Sequence, residues 1–279
     1  MPSAELFRHR VENRNLAGVV HLPDPGREVG LRPAVVICHG FKGFMEWGFL
    51  PHLANLLADR GFVAIRFNFS GSGMKPGDGL VTDVEAFRTA TFSKDLAELL
   101  SIVRSVGRDI APGVADPDKL ALIGHSRGGG IALLTAAALP LKALVTWSAV
   151  STFDRLGPKE KDQWRDTGSI PVINARTGQE LPLGTEVLDD LEANQSLLDL
   201  RAAASARKAP WLIIHGEEDE TVPVAEAETL AAAAGPRASL LRIPGASHTF
   251  GVSHPFAGPT PQLIEVMNAT QGWLRRYLK

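Results

Sequence analysis

The chain has 279 residues, 44% hydrophobic and 22% charged, with a formal net charge of −2. That composition is globular, with apolar material for a sizeable core in one large α/β domain or two small ones, and without a basic stripe it argues against nucleic acid as a partner. The lone Cys38 excludes an internal disulfide and fits a reducing, cytoplasmic setting. No apolar signal region follows Glu5, Arg8 and Arg10, and no apolar run reaches membrane-spanning length.

In chain order, Leu6–Val11 and Leu16–Leu22 read as a first pair of strands around the turn-prone Glu12-Asn13-Arg14-Asn15. Ala34–Cys38 is a strongly apolar strand, which makes Cys38 an inert core thiol, and it ends in His39-Gly40. Leu50–Arg60 has helical spacing and stops at Gly61. Phe62–Phe67 is the next strand, and Asn68–Gly79 a glycine-rich loop. Apolar residues at 84, 87, 92, 96, 99, 100 and 103 predict one long amphipathic helix over Val84–Val106.

Lys119–Ile123 then reads as a buried strand, and the stretch from Gly128 to Leu139 as a helix rich in small residues. Between them lies Gly124-His125-Ser126-Arg127-Gly128. A Gly-x-Ser-x-Gly pentapeptide between strand and helix puts the serine on a sharp corner with its hydroxyl exposed. The flanking glycines are required because a β-carbon there would meet the neighbouring strand or helix.

Ala143–Trp147 and Trp211–His215 are further strands. Val224–Ala234 is a helix, Ser239–Ile243 a strand, and Leu263–Leu278 a closing helix. Strands alternating with helices predict a mostly parallel sheet wrapped on both faces. Residues 148–200 break that rhythm, being far longer than a normal connection. Two extended stretches around Arg176-Thr177-Gly178 suggest a hairpin with short flanking helices, inserted as a cap within a single domain spanning residues 1–279.

A serine nucleophile needs a base and an orienting acid, which follow it in the order acid, histidine in this fold type. His248 lies on a loop after a late strand and ahead of the last helix, with His254 the competitor there. The acid falls in Glu217-Glu218-Asp219-Glu220. Asp219 stands out because Thr221-Val222-Pro223 fixes the loop after it, while Glu217 and Glu218 remain alternatives. Backbone N–H groups of Phe41 and Arg127 are candidate oxyanion donors. His39 and His215 read as turn supports, and His125 as half-buried packing. Trp147, Phe153 and Trp164 are candidate substrate-binding residues, with Trp47 and Phe49 as further aromatics for an acyl pocket. The side chains of Glu46 and Arg127 read as solvated surface.

Together His39-Gly40-Phe41, Gly124-His125-Ser126-Arg127-Gly128, His215-Gly216-x-x-Asp219-x-x-Val222-Pro223 and Ser247-His248 resemble the α/β-hydrolase superfamily. Within it the chain is similar to small bacterial prolyl-oligopeptidase-like and cinnamoyl/feruloyl-esterase-like serine hydrolases. The resemblance runs from about Leu16 to Leu278. It implies Ser126 as nucleophile, Asp219 and His248 as acid and base, and Phe41 and Arg127 as oxyanion donors. It also implies a small cap at 148–200 and esterase activity on a small-molecule ester, with a peptidase or amidase as the alternative. A hydrolase-fold binding protein without chemistry is the rival from outside enzymology. No His pair has metal-ligand spacing and no nucleotide loop is present, so neither metal nor cofactor is expected. Self-association into a homo-oligomer stays open.

Overall fold

The computed structural model describes residues 3–26 and 30–278. The chain opens with β1 (Ser3–Val11), β2 (Arg14–Leu22), β3 (Arg32–Cys38), α1 (Leu50–Asp59) and β4 (Val63–Phe67). It continues through α2 (Val84–Arg88), α3 (Phe92–Ser105), β5 (Ala115–His125), α4 (Arg127–Ala138) and β6 (Ala143–Trp147). Between β6 and the next sheet strand come α5 (Pro158–Thr167), β7 (Ser169–Asn174), β8 (Gln179–Gly184), α6 (Glu186–Ala193) and α7 (Leu200–Ala206). The chain closes with β9 (Trp211–Gly216), α8 (Val224–Ala234), β10 (Ala238–Ile243) and α9 (Pro261–Tyr277).

Eight strands form one sheet in the order β1-β2-β4-β3-β5-β6-β9-β10. The β1 and β2 strands are antiparallel to their neighbours, and the other six run parallel. Strand periodicity divides the core in two. Val36, Cys38, Leu120 and Leu122 face a layer that includes Leu99 of α3, Ile131 of α4, Ala204 of α7 and Leu230 of α8. Val35, Ile37, Ala121 and Ile123 face the other layer, with Leu53 of α1 and Val266 of α9. Cys38 is fully buried, and burial pushes its thiol far above its ordinary value, as an inert core group requires.

The stretch expected as one helix over Val84–Val106 is two. Thr89-Ala90-Thr91 interrupts it: Thr89 Oγ1 donates to Glu85 O at 2.9 Å, and Thr91 takes an extended backbone and accepts from Lys94 N at 3.3 Å. Two threonines offer the backbone local alternatives to helix continuation. The break also seats Ala90 against Gly71, where a β-carbon would come within 2.6 Å of Ala90 Cβ.

The segment between β6 and β9 builds its own antiparallel hairpin of β7 and β8, pairing Ser169 with Gly184 and Asn174 with Gln179. The turn takes Gly178 at φ +70°, a left-handed conformation that glycine adopts without strain. Trp164 of α5 donates its Nε1–H to Leu183 O at 2.9 Å. Gln179 bonds both backbone groups of Val81 at 2.9 Å, and Arg88 of α2 meets Glu186 of α6 at 2.8 Å. The insert therefore docks on α2 and the loop before it.

Candidate active site

The parallel strands bring their carboxyl ends to one edge of the sheet, where sheets of this kind hold their ligands. β3 ends at Cys38 and leads into His39-Gly40-Phe41. β5 leads into Ser126, β9 into the Asp219 loop, and β10 into the His248 loop. Segments far apart in sequence thus converge.

Ser126 sits between β5 and α4 with φ +56° and ψ −126°, a strained conformation for a residue with a β-carbon. Its N–H donates to Trp147 O at 2.9 Å and its carbonyl accepts from Gly129 N at 2.9 Å. Its hydroxyl does not cap α4 and so has no structural duty there. A β-carbon at 124 would lie 2.4 Å from Gly128 O, and one at 128 would lie 2.3 Å from His39 O. Both contacts are with backbone, which cannot move aside, so only glycine fits.

Asp219 is buried and reaches two ways. Its Oδ1 accepts from Thr221 N at 2.9 Å and Val222 N at 2.8 Å, and its Oδ2 accepts from His248 Nδ1–H at 2.8 Å. Burial alone would raise its pKa. Hydrogen bonds from His215, His248 and the Val222 N–H outweigh that and hold the carboxyl far below the usual carboxylate range. His215 Nε2 donates to Val222 O at 2.7 Å and lies 3.3 Å from Asp219 Oδ2, so it braces the loop as well as the acid. Glu217 and Glu218 are exposed. His254 accepts from Gly48 N at 3.1 Å and packs edge-on against Phe44.

His39 accepts from Phe69 N through Nε2 and donates from Nδ1 to Gly40 O at 2.9 Å. His125 donates from Nε2 to His248 O at 3.0 Å. Burial lowers both, to about 4 for His39 and to about 3 for His125, so both are neutral props. Gly40 passes directly over the serine: a β-carbon there would be 2.9 Å from Ser126 Cβ. Phe41 follows, and then Lys42 at φ +58°, strained like Ser126.

Arg127 differs from the solvated side chain expected of it. Its Nη2 donates to the buried Asp95 Oδ2 at 2.5 Å, and its guanidinium lies 5.5 Å from the Phe41 ring centroid and 4.7 Å from that of Phe92. Phe41 also stacks on Phe87 at 5.7 Å. Both residues expected to supply oxyanion donors are therefore fastened by one cluster. Asp95 carried no motif in the sequence; its place on α3, facing the elbow, is visible only in three dimensions.

Ser126 and His248 line a cavity of about 380 Å³, together with Phe41, Trp47, Phe49, Leu50 and the hairpin turn Asn174-Ala175-Arg176. The three aromatic residues singled out for substrate lie elsewhere. Trp147 points to the α9 side of the sheet, where its Nε1–H donates to Thr270 Oγ1 at 3.0 Å and its ring meets Phe49 and Phe250. Phe153 stacks on Phe92 at 4.3 Å and lines a separate cavity under α6. Trp164 is buried inside the insert. Among the described residues no group of three or more His, Cys, Asp or Glu is placed to hold a metal ion, and no helix is long and apolar enough to cross a membrane.

Residues 35–258 match the alpha/beta hydrolase family, and the chain belongs to it. The architecture agrees: the fold of Est1E from Butyrivibrio proteoclasticus, solved with ferulic acid bound, superposes with a TM-score of 0.74 at 20% identity, covering 97% of this chain and 98% of that one. Among curated relatives, the uncharacterized peptidase YuxL of Bacillus subtilis is 27% identical over 88% of this chain, and the uncharacterized protein Rv2307c of Mycobacterium tuberculosis is 27% identical over 80%. The chain spans 35% of the length of YuxL and 66% of that of Rv2307c.

Proposed function

We infer that the chain is a serine hydrolase that cleaves carboxylic esters of small or aromatic acyl groups through Ser126, His248 and Asp219. One observation carries this reading. His248 donates Nδ1–H to Asp219 Oδ2 at 2.8 Å, which leaves Nε2 as the basic nitrogen, and the same ring lines one cavity with the unencumbered Ser126 hydroxyl.

The chemistry follows from those roles. Nε2 of His248 takes the Ser126 proton as Oγ bonds to the acyl carbon. Asp219 stabilises the imidazolium without taking its proton. The N–H groups of Phe41 and Arg127 hold the oxyanion, and each such donor is worth roughly 3 kcal/mol in the transition state. His248 then protonates the leaving alcohol, and the acyl-enzyme is released by a water that His248 deprotonates. Trp47, Phe49 and Leu50 supply an apolar wall for the acyl group.

A peptidase is the second reading, supported by the similarity to YuxL along most of the chain. Labelling with a fluorophosphonate, followed by mass mapping of the adduct, tests the nucleophile; an adduct on any serine other than Ser126 sinks it. Parallel assays on aryl esters, alkyl esters, thioesters and aminoacyl anilides then separate esterase from peptidase. Faster turnover of anilides than of matched esters would reverse the order of the two readings.

A further inference from the structure

The cavity over Ser126 is lined by sixteen residues, and its charged members are Lys42 and Arg176, with no carboxylate among them. Of the three histidines in the wall, burial keeps His39 and His125 neutral, and His248 is paired with Asp219. The two cations come from different segments, Lys42 from the loop after β3 and Arg176 from the turn between β7 and β8. Lys42 Nζ donates to Ile173 O at 3.1 Å, which ties its loop to the hairpin.

Among the described residues neither charge is met by an acid. Arg176 Nη1 donates to Gly79 O at 2.5 Å, its guanidinium lies 5.0 Å from the Phe44 ring centroid, and its Nη2 is enclosed without a hydrogen-bond partner. By contrast Arg127 meets Asp95, Arg66 meets Glu46 and Arg14 meets Glu98. A partly desolvated guanidinium in the cavity wall with no acid beside it favours an anionic partner. Resting on Phe44 and tied to Gly79 O, the guanidinium is already oriented and loses little freedom on binding.

We propose that the cavity takes esters that carry a second, free carboxylate, with Arg176 and Lys42 holding that group while Ser126 attacks the ester. The inference rests on the serine-hydrolase reading above and adds its substrate class. The carboxylate takes no part in the bond changes: water adds across the ester bond, acid and alcohol are released, and the held group leaves with whichever fragment bears it.

The test uses two matched pairs. Mono-p-nitrophenyl glutarate against p-nitrophenyl pentanoate places the charge on the acyl side; 4-acetoxybenzoate against phenyl acetate places it on the alcohol side. For at least one pair, the ratio of kcat/KM for the charged over the neutral ester should fall about 10-fold or more in Arg176→Gln, mainly through KM. It should fall less in Lys42→Gln and stay put in Lys159→Gln, an exposed cation on α5. The pair that responds tells which fragment bears the carboxylate. Unchanged ratios for both pairs in a folded Arg176→Gln chain overturn the proposal. If the wild-type chain hydrolyses no ester, the serine-hydrolase reading has failed separately, and calorimetric titration with glutarate decides the subsite. Binding that weakens in Arg176→Gln keeps it; absence of binding removes it.

Discussion

At the sheet edge Ser126 is held by backbone: Trp147 O on one side, Gly129 N on the other, and glycines that leave no space to move. The hairpin of β7 and β8 is held differently. Its links to the rest of the chain run through side chains: Lys42 to Ile173 O, Arg176 to Gly79 O, and Gln179 to Val81. Backbone fixed by packed strands keeps its geometry when a side chain changes. A hairpin tied by side chains can change contacts, length or tilt without disturbing the sheet. Fixed parts suit the bond-making residues and adjustable ones suit selection among substrates.

The sharpest break of this contrast is at the fixed side. Ser126→Ala should fold normally and lose on the order of 10⁴-fold or more in kcat, as nucleophile removal does in Ser-His-Asp triads. Asp219→Asn should lose about 10⁴-fold, because an amide in place of Oδ2 selects the wrong tautomer of His248. Both are read from steady-state rates on an aryl ester with circular dichroism as a folding control. A Ser126→Ala chain within 10-fold of the parent would move the chemistry to another residue.

What could be read in advance follows the same division. The Ser126 corner was legible because backbone geometry demands particular residues: Gly124 and Gly128 can be nothing else at their contacts. Asp219 could be separated from Glu217 and Glu218 because its short side chain reaches back to the N–H groups of Thr221 and Val222. The eight sheet strands and the helices on both faces followed from apolar runs alternating with helical spacing, while the strand order appears only in the folded chain. The break at Thr89-Ala90-Thr91 was hidden because its apolar spacing stays helical across the gap. The aromatic residues were misplaced for a different reason. Trp147 ends a strand at the correct edge, but it shares parity with Val145, and that parity sends both toward α9. Lys42 and Arg176 were invisible as a pair because a loop and a hairpin 134 positions apart meet only through tertiary structure.

The fixed side also contains buried ionisable groups, which give it a pH signature. His39 and His125 are lowered by burial to about 4 and about 3 from an ordinary 6.5. The unfolded chain takes up these protons first, so their contribution to stability is lost as pH falls below about 6.5. Glu98 runs the other way. Burial, with Asp95 nearby, raises it to about 7 from 4.5, so its contribution is present at low pH and lost as pH rises from about 4.5 through 7. Each proton is worth about 1.4 kcal/mol per unit of displacement. Two histidine protons set against one from Glu98 leave a net of one between pH 6.5 and 4.5, so the parent loses stability there at about half the slope the histidines alone would give. In Glu98→Gln the fall from pH 6.5 to 4.5 should be about twice as steep. Thermal melts from pH 4 to 8 check this, and coincident profiles for parent and variant would contradict it.

On the adjustable side the expected effects are smaller. Shortening the hairpin around Arg176-Thr177-Gly178 should change kcat/KM ratios between small and bulky esters by about 10-fold, the effect of losing roughly 1–3 kcal/mol of pocket contact. Activity on the smallest esters should survive, since Ser126, Asp219 and His248 lie outside the segment. A folded deletion that keeps the parent's substrate ranking would show that the insert plays no part in selection.

The smallest effect concerns docking alone. Gln179 joins β8 to the loop before α2 through two hydrogen bonds, its Oε1 accepting from Val81 N and its Nε2 donating to Val81 O, both at 2.9 Å. Gln179→Ala removes both partners' bonds at once and leaves the Val81 groups to water. At about 1 kcal/mol for each bond, the cost is about 2 kcal/mol at most, and less if water replaces the amide. For a chain of this size that is a fall in Tm of only a few degrees. The residue lies off the cavity wall, so rates on the smallest esters should hold while the selectivity between small and bulky esters drifts toward that of the shortened hairpin. A drop in Tm with selectivity unmoved would mean that Lys42 and Arg176 alone position the turn. Selectivity lost without any drop in Tm would mean that the hairpin is poised by these bonds rather than stabilised by them.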